Sequence, residues 1–599
     1  MPVSTAPIKP WQRPWNHSAN LLESIGRPTR RSEYGWASTR EQPKYAGDDY
    51  FGPSLNRTAR IVAVGHGGQI LLSSSTQRLL IDELPRDVEL LSLGVHGLKD
   101  LDRAEEIFQV VADDLATGFP PLHTEPNSDA GSASQALHAF EEKDWERVVD
   151  LLTQMEADLK LTGKQHEMIG FALWWLGHHD RIISRFEQAY NSFVAEGDSQ
   201  GAASAALELA ELHAHSLARD VAAGWAKRAE RLLEGDEDSS ARGYLLRWQA
   251  VEAFEKENDL DMAISLSEKV AEIGRANMDG NLEVLALQDQ GRFLVAAGRL
   301  DEGMPLMDEA MVAAVAGDIT PINVGRSYCN MLTVCDQTGD IRRAAEWSKA
   351  AEEWCQESES SPYPGICRIF KAEVMWLNGD WVGAESEVMR ASGELGLYTD
   401  ISGEAWYQFG VMRVRAGDYE GAEAAFQEAL TRGREPVPGY AYVLRHQGLA
   451  DSAVDMLERS LSDPNVSKLD RARFLPALAE FSLEEGDAEA SRRAVDELEE
   501  IGQLARSDYF LAQAAHRRGL IELIEEPTTA INYLRDAVKA FTKLRLPYES
   551  AKARSDLAKA YIADGAPALA TLELKSAKTE FERLGSTADA DLIETLLPQ

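Results

Sequence analysis

The chain has 599 residues, 44% hydrophobic and 27% charged, the balance of a folded protein with room for about four ordinary domains or one repeat array. Asp and Glu number 99 against 61 Lys and Arg, and a formal net charge of -38 repels nucleic-acid phosphates and anionic lipid, which excludes generic binding to either. No apolar run reaches the roughly eighteen residues of a membrane span, and the first residues have no apolar core of signal-peptide length, so a cytoplasmic location is expected.

Residues 1–43 have little periodicity. Pro2, Pro7, Pro10, Pro14, Pro28 and Pro43 are scattered among basic and polar residues, and such a stretch buries too little apolar surface to offset its ordering entropy. Residues 44–115 alternate short helical and strand patterns. Asp49, Asn56 and Arg60 are the informative residues there. Asn56 and Arg60 share a helix face at i and i+4, and an arginine fork matches phosphate oxygens. Gly65, Gly67 and Gly68 precede a strand expected at Gln69–Leu72. Plainer readings exist for each: Asn56 as a helix cap, Arg60 as a solvated residue, the glycines as a turn.

The stretch DYFGPSLNRTARIVAVGHGGQILLSSSTQRLL, followed by VELLSLGVHGLKDLDRAEEIFQVV, resembles the C-terminal part of a class III adenylate/guanylate cyclase catalytic domain. The resemblance implies that Asp49 reads the purine, that Asn56 and Arg60 hold the ribose and stabilise charge on the phosphate, and that Lys99 binds phosphate. The two metal-binding aspartates of that family lie on earlier strands, and neither motif occurs upstream of Asp49. Two-metal catalysis polarises both the attacking hydroxyl and the leaving pyrophosphate, so the fragment alone is expected to be inactive and without cofactor. Mg or Mn with ATP is implied only if a partner cyclase chain supplies the missing half. The missing strands are also expected to leave sheet edges uncovered.

Residues 1–43 have a further reading as an out-of-frame remnant. Reverse translation of Arg31 to Tyr45 in a shifted frame permits Val-Arg-Val-Arg-Met-Gly-Leu-His-Thr-Gly-Ala-Ala-Glu-Val, which resembles the cyclase strand that precedes the Asp49 motif; the Trp36-Ala37 junction forces its glycine. A nucleotide sequence lacking cyclase-like codons in that frame would end this hypothesis.

Residues 116–134 read as a polar linker, and residues 135–599 as helix throughout. In AWYQFGVMRVRAGDYEGAEAAFQEAL, which starts at Ala405, Trp406, Phe409, Gly410, Gly417, Tyr419, Ala422, Phe426 and Ala429 form the pattern of a helical hairpin. Gly410 and Ala422 permit close helix approach, and Gly417 suits a left-handed helix end. The segment resembles a tetratricopeptide repeat, with Arg413 replacing the usual aromatic and Pro436 about two residues late for the closing proline. The grammar recurs, with a small or apolar residue five, nine and twelve places after a turn glycine. Gly177 gives Ile182, Phe186 and Ala189; Gly298 gives Gly303, Met307 and Ala310; Gly339 gives Ala344, Ser348 and Ala351. The same holds from Gly379, Gly448, Gly486 and Gly565. Spacings of about forty residues predict roughly eleven or twelve helix pairs, an α-solenoid closed by a polar-sided helix over 587–599. Each pair is expected to bury its core against its neighbours and to leave an extended concave face for a protein or peptide ligand.

Other candidates have plainer explanations. Cys329, Cys335, Cys355 and Cys367 fit no zinc or redox spacing and read as small buried hydrophobes. His178, His179 and Asp180 lie where a turn is expected, so a metal site there is disfavoured. Trp174, Trp175, Trp225, Trp248, Trp347, Trp354, Trp376 and Trp381 are expected between helices. No GxxxxGK[ST], GxSxG or HExxH motif occurs. The favoured function is a protein-interaction scaffold of a bacterial cyclase/repeat regulator type; the alternative is cyclic-nucleotide synthesis, or its regulation, by complementation with a partner chain. Direct DNA control is disfavoured because no helix-turn-helix follows the repeats.

Overall fold

The computed structural model describes residues 36–38, 44–46, 49–51, 60–66, 69–74, 76–77, 88–96, 98, 105–112, 115, 119, 122, 128–357, 364–395 and 398–597. Two compact units divide the chain, residues 1–161 and residues 162–599.

The first unit is built on six short strands: β1 (Trp36–Ser38), β2 (Lys44–Ala46), β3 (Asp49–Phe51), β4 (Ile70–Ser73), β5 (Val88–His96) and β6 (Glu105–Ala112). Four of them form a sheet in the order β1-β4-β6-β5, and β2 pairs with β3 in a separate antiparallel ladder. β4, β5 and β6 run antiparallel to their neighbours, while β1 lies parallel along β4 with Trp36 opposite Ile70. The strand expected at Gln69–Leu72 therefore starts one residue later. Gln69 instead closes the turn before it: its side-chain oxygen accepts from the His66 amide at 3.0 Å, and its Nε2 donates to Gln109 at 2.8 Å. A small core of Ile61, Leu71, Leu98, Ile107 and Leu122 lies beneath. Two helices complete the unit, α1 (Ser128–Glu141) and α2 (Trp145–Asp158).

The second unit is helical hairpins in series. They are α3 (Gly163–Trp175) with α4 (His179–Glu196), α5 (Ser199–His215) with α6 (Arg219–Leu232), α7 (Ser240–Glu255) with α8 (Leu260–Asn277), and α9 (Gly280–Ala296) with α10 (Leu300–Ala316). There follow α11 (Pro321–Thr338) with α12 (Ile341–Glu357), α13 (Pro364–Leu377) with α14 (Trp381–Glu394), α15 (Thr399–Ala416) with α16 (Tyr419–Thr431), and α17 (Gly439–His446) with α18 (Ala450–Ser462). The last are α19 (Leu475–Glu484) with α20 (Ala488–Ala505), α21 (Asp508–Glu525) with α22 (Pro527–Lys543), and α23 (Pro547–Ala563) with α24 (Pro567–Leu584); α25 (Thr587–Leu596) closes the array. This is a tetratricopeptide-like α-solenoid.

The glycine grammar is realised in the backbone. Gly177, Gly298, Gly339, Gly379, Gly417, Gly448, Gly486 and Gly565 all adopt positive φ between the two helices of a pair. The residues five, nine and twelve places later are buried, except Ala344 and Ser460, which are half-buried. Within the hairpin of α15 and α16, a Cβ on Gly410 would overlap the Phe426 ring, so glycine is what lets these helices meet.

The solenoid departs from a simple nearest-neighbour stack. The first helix of each pair touches the first helix of the next, and α5 also touches α15. Trp174 Nε1 donates to Tyr398 Oη at 2.6 Å, Arg506 meets Asp301 at 2.8 Å, and the Ser507 hydroxyl donates to the Gly339 carbonyl at 3.0 Å. Hairpin turns thus pack on the connections of hairpins well over a hundred residues further along. At Gly339 this adds a second reason for glycine, because with φ at +62° a Cβ would also stand 2.6 Å from Ser507 Oγ. One continuous core runs from Val284 through Cys335 and Leu469 to Ile521, joining successive superhelical turns. To the expected burial between neighbouring pairs the fold thus adds a core shared by hairpins far apart in sequence. The superhelix is tight enough for its turns to share side chains.

Candidate functional site

In the first unit, Asp49 starts β3, with its backbone in register opposite Ala46. Arg60 opens a helical segment over 60–64 and is half-buried. Asn56 and Lys99 lie outside the described residues. The proposed nucleotide set thus lies partly outside the described residues.

In the second unit, His178 and His179 fall at the start of α4, and the His179 ring stands edge-on to Tyr398 with centroids 6.3 Å apart. Among the described residues no group of three or more His, Cys, Asp or Glu side chains is placed to hold a metal. Cys335 is buried in the shared core, and burial pushes its thiol up to about 12, whereas Cys329 is half-buried. The side chains of Cys355 and Cys367 lie outside the described residues. Trp174, Trp175, Trp376 and Trp381 are buried. Trp225, Trp248, Trp347 and Trp354 pack half-buried against helix cores, as expected between helices.

The feature that the sequence reading does not find is a charged inner face. The first helices of the pairs turn ionisable side chains toward one another, so residues from non-adjacent hairpins meet. In the first cluster, Glu211 of α5 pairs with Arg247 of α7 at 3.0 Å and with Arg326 of α11, while Arg247 also pairs with Asp289 of α9 at 2.8 Å. Burial alone would raise the Glu211 carboxyl, but the two guanidinium groups outweigh it and hold it at about 2. Glu208, one turn away on α5, has the opposite fate: burial and the Glu211 charge push it up to about 7. Phe171, Trp174, Phe186 and Tyr398 wall a small cavity beside these carboxyls.

A second cluster joins α11, α13, α15 and the residues flanking α17 and α19. Arg473 pairs with Asp336, and Arg434 pairs with Glu404 at 2.6 Å. In a third, Arg415 of α15 pairs with Glu549 of α23 at 2.8 Å, with its guanidinium 4.9 Å from the Tyr548 ring centroid. Nearby, His516 and Asp556 meet at 2.9 Å, and Arg517 pairs with Glu480 at 3.1 Å. Burial disfavours the charged Asp556 carboxylate, but the His516 hydrogen bond and Lys559 outweigh it, leaving its pKa well below the usual range. Glu211, Arg326, Arg434 and Arg473 keep part of their side chains exposed and can present charge to a ligand, whereas Asp289, Glu549, His516 and Asp556 are buried within the clusters. Their signal in the sequence is a charged residue interrupting an apolar helix face, such as Gln288-Asp289 between Ala286 and Phe293, both of them buried.

No protein-family model matches the chain. It is 44% identical over 79 residues to an uncharacterized protein of Mycobacterium tuberculosis and to its counterpart in Mycobacterium bovis, a match covering 13% of this chain and 28% of each relative. The chain therefore spans just over a quarter of the length of those relatives. It is also 28% identical over 111 residues to a receptor-type adenylate cyclase of Trypanosoma equiperdum, covering 18% of this chain and 22% of that protein. Among solved structures, a chain in the crystal structure of the APC/C hetero-tetramer Cut9-Hcn1 matches with a TM-score of 0.39 and 13% identity, over 78% of this chain and 96% of that one. No helix of the described residues is long and apolar enough to cross a membrane.

Proposed function

We propose that the protein is an interaction scaffold whose solenoid holds a protein or peptide on the face lined by its first helices. The observation that carries this reading is the charged and aromatic lining of that face. Helix pairing needs only the apolar stripes, so ion pairs half-open to solvent, such as Arg445 with Glu480 and Glu484, are surplus to the repeat core. They offer fixed charges at low ordering cost to an incoming chain. With the full chain as bait, a partner captured by the wild type is expected to bind at least tenfold more weakly to Arg445→Ala. It should bind normally to Arg493→Ala, a change at an exposed residue of α20. Equal binding to all three, measured by surface plasmon resonance, would place the contact elsewhere.

A second reading is favoured by the short match to a receptor-type adenylate cyclase. Here the first unit contributes Asp49, Asn56, Arg60 and Lys99 to a nucleotide site completed by the metal-bearing half of a partner cyclase chain, with Mg or Mn and ATP. Manganese-dependent formation of cyclic AMP by the full chain mixed with a complete cyclase is expected to exceed that of the cyclase alone. Asn56→Ala or Arg60→Ala should remove the excess. No excess with the wild type removes this reading and leaves the scaffold reading untouched.

A further inference from the structure

The cavity walled by Phe171, Trp174, Phe186 and Tyr398 encloses about 20 Å³, the space that one water-sized group fills. Its lining comes from α3, α4, α5 and α11, with Ile182, Leu212 and Ile322 completing the apolar part. The Phe171 and Phe186 rings stand edge to face with centroids 5.3 Å apart. Tyr398 Oη accepts from Trp174 at 2.6 Å and has a second lone pair to offer. Glu208, Glu211, His215 and Arg326 supply the polar part of the lining. Most of the charges here are committed. Arg326 and Arg247 are both taken by Glu211, and Arg247 also by Asp289 at 2.8 Å. Arg292 is divided between Asp289 at 3.7 Å and Glu255 at 3.9 Å, and His215 meets Asp400 at 3.0 Å. Glu208 is the exception: among the described residues it has no hydrogen-bond or ion-pair partner.

A half-buried carboxylate without a counter-ion costs free energy that an apolar residue in its place would not, so helix packing gains nothing from Glu208. We propose that this cavity seats one lysine side chain of the partner polypeptide, with its ammonium group between the rings and paired with Glu208. The assignment rests on the scaffold reading and adds to it one residue type on the ligand. Three observations favour a lysine. An unpaired carboxylate among aromatic rings is a composition that attracts a cation. A primary ammonium is water-sized and fits the volume, whereas a guanidinium or a trimethylammonium has three heavy atoms around its centre. The chain's net charge of -38 draws basic segments toward it. Burial and the Glu211 charge push Glu208 up to about 7, so an incoming ammonium would also restore the carboxylate that this site otherwise disfavours.

Titration of the full chain against Nα-acetyl-lysine methylamide, read by saturation-transfer NMR of the probe, tests this. The wild type is expected to bind the probe, and Glu208→Gln, which keeps the shape and removes the charge, should weaken binding at least tenfold. Ile322→Phe fills the cavity while leaving Glu208 in place and should weaken it as much. Glu458→Gln makes the same charge change at an exposed position of α18 and should stay within twofold of the wild type. The Nε-trimethyl probe and Nα-acetyl-arginine methylamide are expected to bind at least tenfold more weakly than the lysine probe. The proposal is overturned by no saturation transfer with the wild type, by equal losses in Glu208→Gln and Glu458→Gln, or by a trimethyl probe that binds as well as lysine. The scaffold reading is judged separately by the Arg445→Ala comparison, which uses the captured partner and touches none of these residues. Failure of the probe while that comparison holds overturns the cavity assignment alone.

Discussion

Glu549→Ala is expected to lower the stability of the solenoid by about 3–5 kcal/mol, the cost typical of leaving one member of a buried ion pair alone. Glu549 is 6% exposed and its partner Arg415 is 24% exposed. Arg415 also stacks on Tyr548 and Trp376, so it cannot swing out to water without abandoning both rings. Burial disfavours its charge, yet Glu549 holds its pKa above the ordinary arginine value, and an arginine cannot shed its proton when stranded. The opposite deletion, Arg415→Met, should cost less, because a stranded Glu549 can take up a proton. The pair spans 134 residues, from α15 to α23, so the damage should appear at both ends. Hydrogen exchange in Glu549→Ala is expected to quicken in α15 and α23 together, and urea unfolding should show the loss. The double change Glu549→Leu with Arg415→Met should recover most of it, since an apolar pair of similar volume is often neutral in such a place. A loss under about 0.5 kcal/mol, the scale of ordinary surface substitutions, would mean that this contact between turns carries no load.

Whether a hairpin is legible in the sequence depends on which residue takes the left-handed position at its turn. Where that residue is glycine, as at Gly177, Gly417 or Gly565, the pattern is visible, because glycine is the residue that pays no steric penalty there. In α5 with α6 the same position holds Leu217 at positive φ, which nothing in the local sequence marks, and in α7 with α8 it holds Asn258, a residue that tolerates that conformation but signals it less sharply than glycine. Packing overrides preference at Leu217, whose side chain lies where a Cβ on Gly433, in the connection after α16, would stand 3.3 Å from it. The seams between superhelical turns are hidden for a related reason. A contact such as Ser507 with Gly339 has no periodicity, and its partners belong to repeats that periodicity treats as independent. The inner charges are hidden differently. Glu211, Arg326 and Arg473 look like solvated residues until the curvature of the array brings their helices together. In the first unit the strands around Ile70–Ser73 and Val88–His96 are readable from alternation and glycine turns. The pairing of β1 with β4 is not readable, since three residues carry no period.

Phe426→Ala tests the hairpin itself, and it carries a prediction of sign as well as size. The Phe426 side chain is fully buried, with its ring against Tyr407 and Tyr440 at centroid distances of 5.9 and 6.1 Å. Truncation is expected to cost about 3–5 kcal/mol, from lost transfer energy plus the cavity left behind. Gly410→Ala in the wild-type chain should also destabilise, by about 1–3 kcal/mol, because the new methyl would overlap the Phe426 ring. With the ring gone, that methyl has somewhere to go. Gly410 lies mid-helix in α15, where alanine is favoured by roughly 0.5–1 kcal/mol over glycine, and filling part of the cavity adds about 0.8 kcal/mol per methyl-sized group. In the Phe426→Ala background the same substitution is therefore expected to stabilise by about 1 kcal/mol. A double-mutant cycle read by urea unfolding measures the coupling, which should be at least about 2 kcal/mol for residues in direct contact. If Gly410→Ala keeps the same sign in both backgrounds, helix approach at this glycine is not limited by the ring, and the reason given for glycine at this position fails.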